Sequence, residues 1–204
     1  MKTKTSPAPL RLVLASSSIY RRELLTRLCL HFETVSPEID ERAHAGELPA
    51  ETAVRLAEQK ARAVAHTHPD ALVIGADQIA DFQGRPIGKP RDDADAFEQL
   101  RALRGHTIVF HTAVALLNAR TGSCRTALVD VVTTFRDVED ASLRAYLDRE
   151  RPYDCAGSIK AEALGIALLT RIASDDPTAL IGLPLIRLTD MLLAEGVNPL
   201  LPSR

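Results

Sequence analysis

Tryptophan is absent from the sequence, and aromatic residues make up only 4% of its 204 positions. Proteins that hold single-stranded nucleic acid stack successive bases on aromatic platforms, so this scarcity argues against that class. Basic charge is lacking too, since 25 Lys and Arg against 27 Asp and Glu leave a formal charge of -2. No global positive field exists to hold long nucleic acid, although local basic clusters can still serve a small anion. Cysteine occurs three times, as Cys29, Cys124 and Cys155, with no CxxC pair. Neither a disulfide framework nor a zinc site is signalled, and free thiols fit a reducing cytoplasm. Long apolar runs are missing as well. No stretch approaches membrane-spanning length, and the early run at residues 10–15 is broken by Arg11 and too short for a secretory signal. A membrane partner is therefore not expected.

What remains is an ordinary globular balance, with 46% hydrophobic and 25% charged residues. The length suits one α/β domain, or two small lobes sharing a cleft. Residues 1–9 read as a disordered tail, and 10–204 as a single domain. Apolar patterning predicts strands over 10–15, 31–35, 71–80, 107–117, 126–135 and 166–172. It predicts helices over 19–28, 50–66, 92–103, 140–149 and 184–195. Residues 37–49 and 84–90 read as loops. Thr121-Gly122 marks a hairpin turn between two long strands, which argues against a purely parallel sheet.

Several places carry chemistry. Ser16-Ser17-Ser18 lies between a predicted strand and a predicted helix, followed by Arg21 and Arg22. Free N–H groups and the positive end of a helix dipole suit phosphate there, but taken alone the motif reads first as plain capping with two solvated arginines. Asp77 interrupts the apolar run Val73-Ile74-Gly75-Ala76-Asp77-Gln78-Ile79. A carboxylate so placed is costly to bury unless it is paired, bound to metal or used in chemistry; the alternative is a strand-end aspartate facing water. Lys60 falls in an alanine-rich helix and Lys89 in Gly88-Lys89-Pro90, and each alone would read as a surface charge. Asp40 and Glu41 offer oxygen ligands for a hard cation. The stretch Cys155-Ala156-Gly157-Ser158-Ile159-Lys160-Ala161-Glu162 combines small residues with polar groups able to read a base edge. His66 and His68 lack a partner ligand nearby and read as surface residues.

Taken in order, LASSSIYRRELL, PEIDE, RLAEQKARAVA, VIGADQ, GKP, CAGSIKAE and GLPL resemble the Maf family of nucleotide pyrophosphatases, from residue 14 to residue 185. The resemblance implies an α/β fold with an elongated central mixed sheet, flanking helices and a cleft between two lobes. It suggests a homodimer. It also implies that Asp77 activates water, that Lys60 and Lys89 bind phosphate with Ser16 and Arg21 or Arg22, and that Glu41, with Asp40, holds Mg²⁺ or Mn²⁺. Where the dTTP/UTP-cleaving branch carries arginine, threonine and glutamine, this chain has Tyr20, Gln78 and Glu162. An aromatic, glutamine and glutamate there resemble the branch that cleaves 7-methyl-GTP. An aromatic ring stacked on a cationic methylated guanine gains about 0.5–2 kcal/mol. A glutamate accepts hydrogen bonds from guanine N1–H and the exocyclic amine, but meets the uracil O4 with acceptor against acceptor. Tyr20 stands where tryptophan is expected in that branch, and Ile19 where the family usually has proline. The alternatives are a pyrophosphatase for dTTP, UTP or another noncanonical nucleotide, and a non-catalytic nucleotide-binding regulator of cell division or septum formation.

Overall fold

A computed structural model describes residues 11–201, so the expected tail at 1–9 lies outside the described residues. The chain order is β1 (Arg11–Ala15), α1 (Ile19–Thr26), β2 (Glu33–Val35), α2 (Pro49–Ala65), β3 (Ala71–Phe82), β4 (Arg85–Ile87), α3 (Asp93–Leu103), β5 (Thr107–Asn118), β6 (Cys124–Phe135), α4 (Asp140–Glu150), β7 (Leu169–Ala173) and α5 (Leu185–Ala194). The strands form one mixed sheet in the order β2-β1-β3-β5-β6-β7, with β4 paired to β3. β1 runs parallel to both β2 and β3, and the remaining pairings are antiparallel. No helix among the described residues is long and apolar enough to cross a membrane.

Three 12-residue strands, β3, β5 and β6, run the length of the sheet and join two lobes. In the first lobe β1 is an apolar run buried on both faces, as the parallel part of a sheet requires. Leu12 and Leu14 face Leu24 and Leu25 of α1 and Leu188 and Leu192 of α5. Val13 and Ala15 face Ala53, Ala57 and Ala61 of α2. In the second lobe Phe110, Ile108 and Val131 pack under Leu100 and Leu103 of α3 and Leu143 and Leu147 of α4.

Two local differences from the sequence pattern have physical causes. The glycine loop expected at 84–90 begins as a hairpin: β3 extends to Phe82 and returns as β4 through Gln83 and Gly84, at φ 56° and 78°. Two successive left-handed residues make the turn type that matches strand twist, here without the usual Asn-Gly signature. Asp81 fastens it by accepting the Gly84 N–H at 2.7 Å. The last strand starts at Leu169 rather than 166, because Leu164–Leu168 is a 3₁₀ turn. Gly165 presses there on the Lys160 carbonyl, and a Cβ at Gly165 would stand 2.4 Å from that oxygen.

Candidate active site

β1 ends at Ala15, paired with Gly75, and β4 begins pairing β3 only at Ala80. Residues 76–79 therefore have no strand beside them on that edge of β3 among the described residues. The carboxyl end of β1 opens into this gap, the usual place for a ligand in a sheet with parallel strands. Ser16–Ser18 and the first turn of α1 lie beside it. Ser16 is buried and its hydroxyl accepts the Ser18 N–H at 3.1 Å, while Ser18 caps α1 by accepting the Arg21 N–H at 3.4 Å.

Asp77 sits in the gap, only 7% exposed. Helix α2 starts with Pro49, whose missing N–H costs nothing at a first helical position, and carries a stripe of alanines toward the sheet. Ala57 and Ala61 let its backbone approach Gly75 so closely that a Cβ on the glycine would lie 2.0 Å from the Ala57 oxygen. The same face of the helix carries Lys60, itself 5% exposed. Its ammonium meets Asp77 Oδ1 at 2.6 Å and Glu41 Oε1 at 2.8 Å. A buried charge survives only when it is paired, so the close packing of α2 on β3 and the Asp77–Lys60–Glu41 chain require each other.

Further charges surround that chain. Burial works against ionisation of Glu41, but Lys60, Arg21 and Lys89 together hold its carboxyl below the usual carboxylate range. Burial likewise lowers Arg21, opposed by the fields of Asp77 and Glu41. The Arg21 guanidinium is fixed by donating from Nε to the Gly182 carbonyl at 2.9 Å. Gly182 has φ 113°, and a side chain there would press on the same guanidinium, which explains the glycine of GLPL. Lys89 is exposed at the rim of the second lobe. Its loop is tied to the CAGSIKAE stretch by the Gly157 N–H donating to the Gly88 carbonyl at 3.4 Å.

Gln78 points to the opposite face of β3 from Asp77. Its amide nitrogen lies 2.9 Å from Thr112 Oγ1, 2.9 Å from the Ala179 carbonyl and 3.0 Å from the Leu180 carbonyl. It thereby holds the 3₁₀ turn Ala179–Ile181 that precedes Gly182. Tyr20, half-buried on the first turn of α1, donates its hydroxyl to Asp154 Oδ2 at 2.9 Å. Glu162 is exposed, and its field reaches Cys155 and Tyr146. Tyr20 thus reaches, from near the start of the chain, the segment next to Glu162.

Not every candidate joins the cluster. Asp40 gives both carboxylate oxygens to Arg42, at 2.6 Å for the closest contact, in an exposed loop. Arg22 is exposed, with no side-chain ion pair among the described residues. Burial, with the Asp154 carboxylate beside it, pushes the Cys155 thiol up to about 12. The thiolate is the reactive form, so Cys155 should alkylate at least about tenfold more slowly than exposed Cys29 at neutral pH. Peptide mapping after timed iodoacetamide treatment checks this, and equal rates would show that the 155 segment opens to solvent.

The family model described as Maf-like protein matches residues 11–195. The chain belongs to the Maf family. Curated relatives of this Maf protein align over nearly their whole length. A 7-methyl-GTP pyrophosphatase of Thiobacillus denitrificans is 56% identical over 97% of this chain and 97% of its own. One of Cupriavidus pinatubonensis is 56% identical over 94% of this chain and 96% of its own. One of Aromatoleum aromaticum is also 56% identical, over 92% and 96%.

Around the candidate site of this Maf protein lie supporting residues that the sequence pattern did not single out. Asp176 is 1% exposed, and its carboxylate accepts Thr178 Oγ1 at 2.6 Å and the Ile186 N–H at 2.7 Å. It fixes the loop that carries Ala179, Leu180 and Gly182 beneath Gln78 and Arg21. Asp175-Asp176-Pro177-Thr178 carries a turn signal, but nothing in it announces a support for residues about a hundred positions away. Tyr146 steadies the other rim by accepting the Lys160 N–H at 2.9 Å and donating to the Ser158 carbonyl at 3.3 Å.

Proposed function

We propose that this Maf protein hydrolyses 7-methyl-GTP to 7-methyl-GMP and diphosphate. The observation that carries the reading is the buried Asp77–Lys60 pair, extended outward by Glu41, set in the gap at the end of β1 and overlooked by Arg21. The names of the relatives supply the substrate, and Tyr20, Gln78 and Glu162 agree with a guanine-type base.

In this reading a water attacks the α-phosphorus, and Asp77 takes its proton as the new P–O bond forms. The bond from the α-phosphorus to the bridging oxygen breaks, and diphosphate leaves with that electron pair. Charge builds on phosphate oxygens during attack, so fixed cations placed beforehand lower the barrier. Lys60 has three N–H donors, and with two on Asp77 and Glu41 the third is free for a phosphate oxygen. Arg21 is held ready by Gly182, and Lys89 reaches in from the second lobe. Tyr20 stacks on the base, Glu162 accepts from its N1–H and amine, and Gln78 shapes the site through the turn it holds.

A divalent cation, Mg²⁺ or Mn²⁺, belongs to this reading. Among the described residues no group of three or more His, Cys, Asp or Glu is placed to hold an ion by itself. The donors still suit one, because Mg²⁺ commonly takes one or two carboxylates and completes its shell with water and substrate phosphates. Glu41 keeps its side chain 60% exposed and would hold the ion together with the triphosphate. Asp40 would join only if its pair with Arg42 opened. When bound, the ion adds Lewis-acid polarisation of the phosphate oxygens.

Diphosphate release with Mg²⁺ or Mn²⁺, measured across 7-methyl-GTP, GTP, dTTP, UTP, CTP and ITP, tests the reading. The highest kcat/KM is expected for 7-methyl-GTP. Preference for dTTP or UTP would keep the chemistry and overturn the base assignment. No turnover on any of them would favour a regulator.

A further inference from the structure

The hydroxyl of Tyr20 bonds to a residue 134 positions away. A ring that only stacks on a base has no need of that bond, since stacking uses the ring face. A hydroxyl held by a carboxylate fixes the plane and depth of the ring before any ligand arrives, which lowers the ordering cost of binding. Asp154 is itself anchored on its other oxygen, where Oδ1 lies 3.5 Å from the Cys155 thiol and 3.8 Å from Lys160 Nζ. Lys160 also donates to the Glu150 carbonyl at 3.2 Å, so its ammonium is shared and neutralises Asp154 only in part.

We propose that Asp154 is a positioning residue for base selection, fixing Tyr20 as a stacking plate and placing a negative charge beside it that favours a cationic base over a neutral one. The proposal rests on the 7-methyl-GTP reading above. N7-methylation gives guanine a positive charge, and unmodified guanine has none. A carboxylate hydrogen-bonded to the phenol also draws the O–H proton toward itself. That returns electron density to the ring and strengthens its attraction for a cation. Both effects act on the methylated base, whereas plain stacking serves the two bases alike. Burial and the Asp154 partner push the Tyr20 phenol well above its ordinary value. Burial works against the charged form of Asp154, but Tyr20, Cys155 and Lys160 still hold its carboxyl below the usual range. Donor and acceptor therefore both keep their roles across neutral pH.

Two substitutions separate the contributions. Tyr20→Phe keeps the ring and the charge and removes the tether, while Asp154→Asn removes the charge and keeps an acceptor. With kcat and KM measured for 7-methyl-GTP and GTP, each variant should lower the ratio of the two kcat/KM values by about threefold, and the double variant by about tenfold. For Asp154→Asn the loss should lie in KM for 7-methyl-GTP, with kcat and the GTP constants within about twofold of the parent, whereas Tyr20→Phe, which frees the stacking ring itself, should raise KM for both nucleotides and more for 7-methyl-GTP. Equal losses on both nucleotides would mark Asp154 as merely structural, and an unmoved ratio would also overturn the proposal. If the unaltered protein cleaves 7-methyl-GTP and the ratio does not move, this inference fails alone. If it does not cleave 7-methyl-GTP, the substrate reading fails and this inference with it.

Discussion

An Asp77→Asn protein is expected to release diphosphate about 10²–10⁴-fold more slowly than its parent, the range typical of removing a positioned general base. Asparagine is nearly the same size and still offers an oxygen to Lys60, so the gap beside β3 keeps its shape. What is lost is the capacity to take a proton from water. The ammonium retains Glu41 at 2.8 Å, so the buried lysine keeps one charged partner and the fold should persist. Nucleotide binding measured by calorimetry should be retained, or slightly tightened, because a negative charge next to the triphosphate has gone. Single-turnover rates separate the chemical step from release. A near-normal rate would remove Asp77 from the role of base. A total loss of binding would instead make it a structural anchor for Lys60.

Much of this site was legible from the sequence, for a physical reason. Local rules expose side chains that break a pattern. Asp77 interrupts an apolar strand, three serines stand where a helix must be capped, and Lys89 is wedged between glycine and proline. The family resemblance then joined these scattered signals into one candidate site, and the structure brings Asp77, Lys60, Glu41 and Arg21 together, with the charge of Lys89 reaching Glu41. Element boundaries were legible where periodicity was long, as in α2 and the three long strands. They slipped where a short turn used unusual residues, as at Gln83-Gly84. Contacts across great sequence distance were not legible at all. Nothing near Gln78 says that its amide holds the carbonyls of Ala179 and Leu180, and nothing near Tyr20 points to Asp154. Those pairings exist only once the sheet has brought its two lobes together. The same holds for the open edge of β3, which depends on β1 stopping at Ala15 and β4 starting its pairing at Ala80.

The second large effect is expected at Gly75, where the fold and the chemistry depend on one close approach. A Cβ on Gly75 would sit 2.0 Å from the Ala57 oxygen and 2.8 Å from the Ala61 nitrogen. Both are backbone atoms of α2 and cannot rotate aside as a side chain could. Gly75→Ala must therefore lift the helix from the sheet or bend the strand. Either response opens the alanine seam formed by Ala53, Ala57 and Ala61. Overpacking of a dense core usually costs 1–3 kcal/mol, and a clash against a helix backbone belongs at or beyond the upper end, about 3 kcal/mol. For a domain of this size that corresponds to a fall in Tm of roughly 6–12 °C. Lys60 sits one turn along from Ala57, so the same displacement draws its ammonium away from Asp77. Activity measured well below either melting temperature should then fall as well, although no catalytic group has been changed. Gly88→Ala is the contrast, since a Cβ there meets nothing within 4 Å, and its Tm should stay close to the parent's. If Gly75→Ala melted like the parent, α2 would have room to yield, and its contact with β3 would not be what holds Lys60 against Asp77. If it melted low but kept full activity, the helix would be adjusting as a rigid body that carries Lys60 and its partners together.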